Sequence, residues 1–405
     1  MELIEKIKPI EDMEVSGKTI LLRVDLNSSV KDGKLLHSPK VAEHFKTIKK
    51  LLDAKAKVVI LSHQGRKRRE DFIDLKQHRD KLAEMLGDEI GFYTWNSNYE
   101  KAIKELGEGK ALMLDNTRFL EFEAENKSPE EHAKEPVIKK LASLADYYVL
   151  DALSVAHRSH ATVVGFIPLL PSFAGPVLMS ELRALERVKK IKDNSVLILG
   201  GMKPEDSLFV MEKMLKERRV SKVLLGGALG ELAIMAKGAK LGIKEKFLEE
   251  KGLLEFVPEV RALLTKFRGR ILFPADLAVR RNGLREEISL AELPVNDMIF
   301  DIGEITINTY ENAIRKAELV IYNGPVGKFE SYQFAFGTRK MFDALAGARG
   351  FTLIGGGDTV TAMIRLGFKS TEFGHVSLAG KALLMFLTGA ELPALTALAN
   401  AKIRE

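Results

Sequence analysis

Phe351-Thr352-Leu353-Ile354-Gly355-Gly356-Gly357-Asp358-Thr359-Val360-Thr361-Ala362-Met363-Ile364 changes its period halfway along. The first four residues are mostly apolar and predict a buried strand, and from Thr359 onward the apolar spacing predicts a helix. Three glycines, an aspartate and a threonine lie at the junction. A glycine turn lets backbone N–H groups approach an anion, and a helix N-terminus adds the positive end of its dipole. Asp358 then stands where a divalent cation riding on phosphates could be held. A tight turn capped by Asp358 would explain one such loop on its own.

Three further strand ends in the same half have similar chemistry. Val196–Leu199 runs into Gly200-Gly201-Met202-Lys203, Val223–Leu225 into Gly226-Gly227-Ala228, and Leu319–Tyr322 into Asn323-Gly324-Pro325-Val326-Gly327. Continuous apolar strands alternating with helices imply a parallel sheet covered on both faces. Such sheets bind ligands at the carboxyl ends of their strands. None of the loops carries the Walker or the dinucleotide glycine pattern, so together they indicate a nucleotide site of another kind.

The chain has 405 residues, which favours two α/β domains over a single core. Hydrophobic residues make up 46% and charged residues 29%, the composition of an ordinary globular protein. With no cysteine, disulfides and thiolate metal sites are excluded. The opening Met1–Lys6 has no apolar signal segment, so a cytoplasmic location is expected. The apolar run from Val163 to Met179 is broken by Pro168, Pro171 and Pro176 and reads as a buried connection, not a membrane span. A net charge of +6 favours anionic partners. The one dense basic cluster, Arg66–Arg69, is too little to support a nucleic-acid partner, and none is expected.

In the first half, Thr19–Asn27 reads as a strand with Arg23, Asp25 and Asn27 on one face. Val41–Ala54 reads as a helix, Lys57–Leu61 as the next strand ending in Ser62-His63-Gln64-Gly65-Arg66, and Ala111–Leu114 as a strand ending at Asn116-Thr117-Arg118. Tyr147–Leu150 leads to Asp151 and then His157-Arg158-Ser159-His160. These strand ends deliver His63, Arg66, Arg118 and Arg158. Arginine at such a rim suits bidentate capture of a small polyanion. Residues 1–172 and 173–390 are the expected domains, with 391–405 returning to the first.

Taken in order, these motifs resemble the phosphoglycerate kinase family, particularly its archaeal branch. The pieces that carry the resemblance are Leu22–Asn27, Ser62–Arg66, Asn116–Phe119, Ala156–His160, Gly200–Lys203, Asn323–Glu330 and Gly355–Thr359. The resemblance implies two Rossmann-like parallel-sheet domains joined by a hinge that closes, in a monomer. It also implies reversible phosphoryl transfer between 1,3-bisphosphoglycerate and ADP, with Mg²⁺, giving 3-phosphoglycerate and ATP. Matched by position, Asp25, Asn27, His63, Arg66, Arg118 and Arg158 would bind the acid. Gly201, Lys203, Gly226, Gly227 and Asn323 would surround the nucleotide, with Glu330 on the ribose. Gly356, Gly357, Asp358 and Thr359 would take the phosphates, with Asp358 on the metal. Such chemistry needs positioning and charge neutralisation more than covalent help.

Departures fall where the chemistry would occur. The family's catalytic arginine is matched by Lys40, and lysine keeps the charge without the bidentate fork. The second lysine of the Gly-Gly-Ala-Lys-x-x-Asp-Lys segment is Ser207, and the tryptophan usual before Asn-Gly-Pro is Tyr322. After His375-Val376-Ser377 the family's Thr-Gly-Gly-Gly becomes Leu378-Ala379-Gly380-Lys381. Lys40, Lys203 and Lys381 are thus the expected catalytic cations. A paralogue acting on another carboxylate, or a nucleotide-binding protein without turnover, are the alternatives.

Overall fold

Strands with apolar residues at consecutive positions become the interiors of parallel sheets, because both of their faces are covered. The computed structural model describes residues 2–36, 38–191 and 194–401. Two units result, one of the chain up to Arg183 together with the stretch from Ala390, the other of Ala184–Gly389. Residues 402–405 of the expected C-terminal segment lie outside the described residues.

The first unit holds six parallel strands: β1 (Thr19–Arg23), β2 (Lys57–Leu61), β3 (Ile90–Tyr93), β4 (Ala111–Leu114), β5 (Tyr147–Leu150) and β6 (Ser172–Ala174). Their order is β3-β4-β2-β1-β5-β6. The central strand β1 is therefore where the connections reverse direction, and the crevice beyond its carboxyl end is the expected ligand position. Sequence reading carries β1 to Asn27, but the strand stops at Arg23 and the chain runs on through buried Val24, Asp25 and Leu26. The helix Pro39–Asp53 starts two residues earlier than its apolar period suggests, because proline suits the first turn. It buries Val41, His44, Thr47, Ile48 and Leu51, one stripe at helical spacing.

The run read as a buried connection is largely buried and contains β6, an edge strand the sequence reading left out, before it enters the helix Pro176–Lys190. Asp151, at the end of β5, accepts from the N–H groups of Val177 (2.8 Å) and Leu178 (3.1 Å), and so caps the helix Pro176–Lys190. That helix begins in the first unit and ends in the second. The helix Pro393–Ala399 packs on Glu2–Glu5, Ala161–Val164 and β6.

The second unit has β7 (Ser195–Leu199), β8 (Lys222–Leu225), β9 (Ile271–Leu272), β10 (Asp276–Arg281), β11 (Leu284–Ser289), β12 (Met298–Ile302), β13 (Leu319–Asn323), β14 (Phe351–Gly355) and β15 (His375–Val376). A parallel sheet runs β9-β8-β7-β13-β14-β15, with the reversal between β7 and β13. The three remaining strands form a separate antiparallel sheet, β11-β10-β12, which the sequence reading did not separate from the main one. Its hairpin turns at Asn282-Gly283, both at positive φ (50° and 80°), as a two-residue turn requires. No helix among the described residues is long and apolar enough to cross a membrane.

Replacing Asp151 with alanine should destabilise the protein by about 2 kcal/mol, the upper range for a lost helix cap. Thermal unfolding checks this, and an unchanged melting temperature would contradict the capping role.

Candidate active site

The buried polar groups just past the ends of β1, β2 and β4 are placed by their neighbours. Asp25 is 2% exposed, and its Oδ2 accepts from the Lys40 ammonium at 2.5 Å. Burial would raise the Asp25 pKa, but the charges of Lys40 and His63 and hydrogen bonds from Lys40 and Ser154 outweigh it and hold the carboxyl well below the usual range. Asn27 is half-buried, and its side-chain oxygen accepts from the Gly65 N–H at 2.8 Å. Gln64 and Asn116 bind β2's loop to its neighbours: Gln64 Nε2 donates to the Ser28 carbonyl, and Asn116 Nδ2 to the Gln64 carbonyl.

Arg23 is fully buried. Its Nη2 lies 3.3 Å from His63 Nδ1, and its guanidinium lies 3.9 Å from Glu123 Oε1. A guanidinium can only donate, so His63 Nδ1 accepts and the ring carries its proton on Nε2. Burial holds His63 well below its ordinary pKa, and Arg23, Arg118 and Arg158 push the same way against the opposing charge of Asp25. His63 is therefore a neutral hydrogen-bond donor.

A cavity of 470 Å³ opens at this rim, lined by Arg66, Arg118, Arg158, His160 and the ring of Phe119 among others. Burial and the charges of Arg158, Arg23 and Arg66 push Arg118 down to about 10. His160 is pushed down to about 3 by burial and by the charges of Arg158, Arg23 and Arg118. Like charges collected with this little compensation favour an anion in their midst.

In the second unit the four strand-end loops interlock. Gly201 N–H donates to the Pro325 carbonyl at 2.8 Å, Gly227 N–H to Val326 at 3.0 Å, and Gly200 N–H to Asn323 at 3.0 Å. A Cβ on Gly200 would lie 2.2 Å from the Pro325 oxygen, and one on Gly226 2.6 Å from Val326 Cβ. Gly200 is thus required by backbone packing on backbone and Gly226 by the Val326 side chain, and the N–H groups of Gly201 and Gly227 are already engaged. Thr359 is buried and its hydroxyl accepts from the Gly324 N–H at 2.7 Å. Gly356 has φ +89°, and a Cβ there would meet Asn323 Oδ1 at 2.4 Å.

Beside these loops is a cavity of 390 Å³ with apolar walls that include Ala228, Phe247, Leu277, Phe300 and Val326. Gly201, Gly227, Glu330 and Asp358 line it, whereas Lys203, Gly226, Asn323, Gly356, Gly357 and Thr359 do not. Asp358 is exposed in the first turn of the helix Gly357–Arg365, and the space over Gly357 is open. Lys203 is exposed ahead of the helix Pro204–Lys216. Lys381 pairs with Asp206 at 3.3 Å on the surface. In the altered loop before Lys381, Ala379 is buried and Leu378 packs on the core, while Gly380 turns at φ +55°. No group of three or more carboxylates or histidines that could hold a metal by themselves occurs among the described residues.

Sequence reasoning missed Glu123 and Ser154. Glu123 sits in an acidic run that reads as solvated surface, yet it is fully buried and accepts from the hydroxyl and N–H of Thr162. Ser154 lies between Asp151 and the His157–His160 motif with no pattern to mark it, yet its hydroxyl donates to Asp25 Oδ2.

Two sheets of this construction, with arginines at one set of strand ends and interlocked glycines with a carboxylate at the other, define the class: a two-domain α/β kinase. The chain belongs to the phosphoglycerate kinase family, whose model matches residues 10–390. It is 38% identical over 398 residues to a phosphoglycerate kinase of Methanopyrus kandleri, covering 97% of this chain and 98% of the relative. It is also 38% identical over 397 residues to that of Pyrococcus horikoshii, covering 96% of each. The crystal structure of the P. horikoshii phosphoglycerate kinase superposes with a TM-score of 0.91 over 97% of this chain and 98% of that one, at 37% identity. The Coxiella burnetii enzyme gives 0.79 at 27% identity, covering 98% of this chain and 100% of that one.

Gly200→Ala should lower the unfolding temperature sharply, because the added methyl would overlap a carbonyl oxygen, whereas Gly357→Ala should leave it within about 2 °C. Equal effects in a thermal scan would contradict the interlock. Because His63 binds its proton less readily folded than unfolded, stability should be complete above pH 6.5 and fall as the pH drops below it. Urea titrations at pH 7.5 and 5 should show this fall, and it should be smaller in His63→Gln.

Proposed function

We propose that the chain catalyses reversible, Mg²⁺-dependent phosphoryl transfer between 1,3-bisphosphoglycerate and ADP, giving 3-phosphoglycerate and ATP. The observation that carries this reading is the set of poorly compensated guanidinium groups at the carboxyl edge of the first sheet. Arg66, Arg118 and Arg158 bind the acid's phosphate and carboxylate oxygens, because planar forks match those groups. His63 adds a neutral N–H donor, and Asn27 holds the β2 loop at its working distance from β1.

The apolar cavity of the second unit takes the base, with the Gly201 and Gly227 surfaces allowing close approach and Glu330 at the ribose. Gly226, Asn323, Gly356 and Thr359 act one step back, by fixing the loops. The open backbone of Gly357, at the start of its helix, receives phosphate oxygens. Asp358 would hold the Mg²⁺ that accompanies the nucleotide, and the metal would neutralise charge on the phosphates during transfer. Lys40 supplies the cation beside the acid, and Lys203 a mobile one beside the nucleotide. Lys381 is the weakest member of the set, since Asp206 already offsets its charge. The same reading makes the protein a monomer of the cytoplasm.

The test is a coupled assay of the purified protein with 3-phosphoglycerate and Mg-ATP. Turnover is expected in the parent, and Asp358→Ala should reduce it by more than about a hundredfold, the scale for loss of a key electrostatic partner. A parent without turnover would contradict the assignment, and an Asp358→Ala variant with full activity would contradict the metal position.

A further inference from the structure

We propose that Ser154 is a positioning residue for Lys40, acting through Asp25; this rests on Lys40 being the cation beside the acid. Asp25 receives three donors from three elements. Lys40, in the first turn of the helix Pro39–Asp53, reaches Oδ2 at 2.5 Å, and the Ser154 hydroxyl donates to the same oxygen. The N–H of Asn27 reaches Oδ1 at 3.0 Å. An ionised carboxylate only accepts, so the serine hydrogen must point to Asp25.

The chemistry of lysine explains why a second donor is present. Its charge sits on one nitrogen at the end of a flexible stem, so it cannot span both carboxylate oxygens as a guanidinium fork does. The Asn27 N–H holds Oδ1, but Oδ2 would rest on that flexible nitrogen alone, and Lys40 would be free to shift about it. Ser154 removes that freedom. It lies in the short turn Leu153–Val155, whose two flanking side chains are buried, so its own direction is fixed. It also shares the negative charge of Oδ2, which leaves Lys40 less neutralised. Because Ser154 is in the Asp151–His160 loop, the contact also registers Lys40 against the loop that carries Arg158.

The test is a double-mutant cycle on the full chain, reading kcat and both KM values. Ser154→Ala should lower kcat about tenfold, the rate equivalent of one hydrogen bond to a charged group, with KM for Mg-ATP unchanged. Ser154→Thr, which keeps the hydroxyl, should recover most of that loss. In the Lys40→Arg background, where a fork can hold both oxygens, Ser154→Ala should cost less than about twofold. Full kcat in Ser154→Ala, no recovery with threonine, or equal losses in both backgrounds would each overturn the proposal. A parent without turnover of 3-phosphoglycerate would instead overturn the functional reading on which it stands.

Discussion

The buried carboxylate of Asp25 organises the first unit. It sits just past the central strand, where the direction of the connections reverses, and ties Lys40 on one helix to Ser154 in the loop after β5. Alone in that position it would be driven toward its neutral form. Lys40 and the nearby positive groups reverse this and keep it charged. A second buried charge pair, Arg23 with Glu123, fixes the tautomer of His63. Both devices have the same physical basis: a polar group buried just past a strand end has no water to satisfy it, so it must be held by another. Arg66, Arg118 and Arg158 are left to face the cavity, with Lys67 beside them.

The second unit solves a different problem. A nucleotide must lie close to the backbone, which requires loops without side chains that are nevertheless rigid. Interlocking Gly200, Gly201 and Gly227 with residues 323–326 meets both needs, since the N–H groups that might have been mobile donors are bonded to the neighbouring loop. The glycines therefore serve shape, and direct donation to an anion is left to the start of the helix Gly357–Arg365.

Much of this was legible in the sequence because period-2-free apolar runs, glycine turns and strand-end arginines are local signals. The two parallel sheets and the placement of Arg66, Arg118, Arg158 and Asp358 at strand or loop ends follow from them. What escaped depends on distant partners. Glu123 looks like surface charge until Arg23 and Thr162 enclose it. Ser154 has meaning only beside a lysine at position 40. The antiparallel sheet was signalled by Asn282-Gly283, a turn that the alternating helices and strands around it obscured. Edge strand β6 is three residues long, too short for any period to show.

Trp95 offers the most direct check that the acid binds at the first sheet. It is the only tryptophan in the chain, and its indole N–H donates to the carbonyl of Asn116 at 3.0 Å, two residues before Arg118. Titrating the full chain with 3-phosphoglycerate should shift Trp95 fluorescence to saturation, and Mg-ADP alone should leave it unchanged. A shift with Mg-ADP and none with 3-phosphoglycerate would mean that the arginine cavity is not where the acid is held.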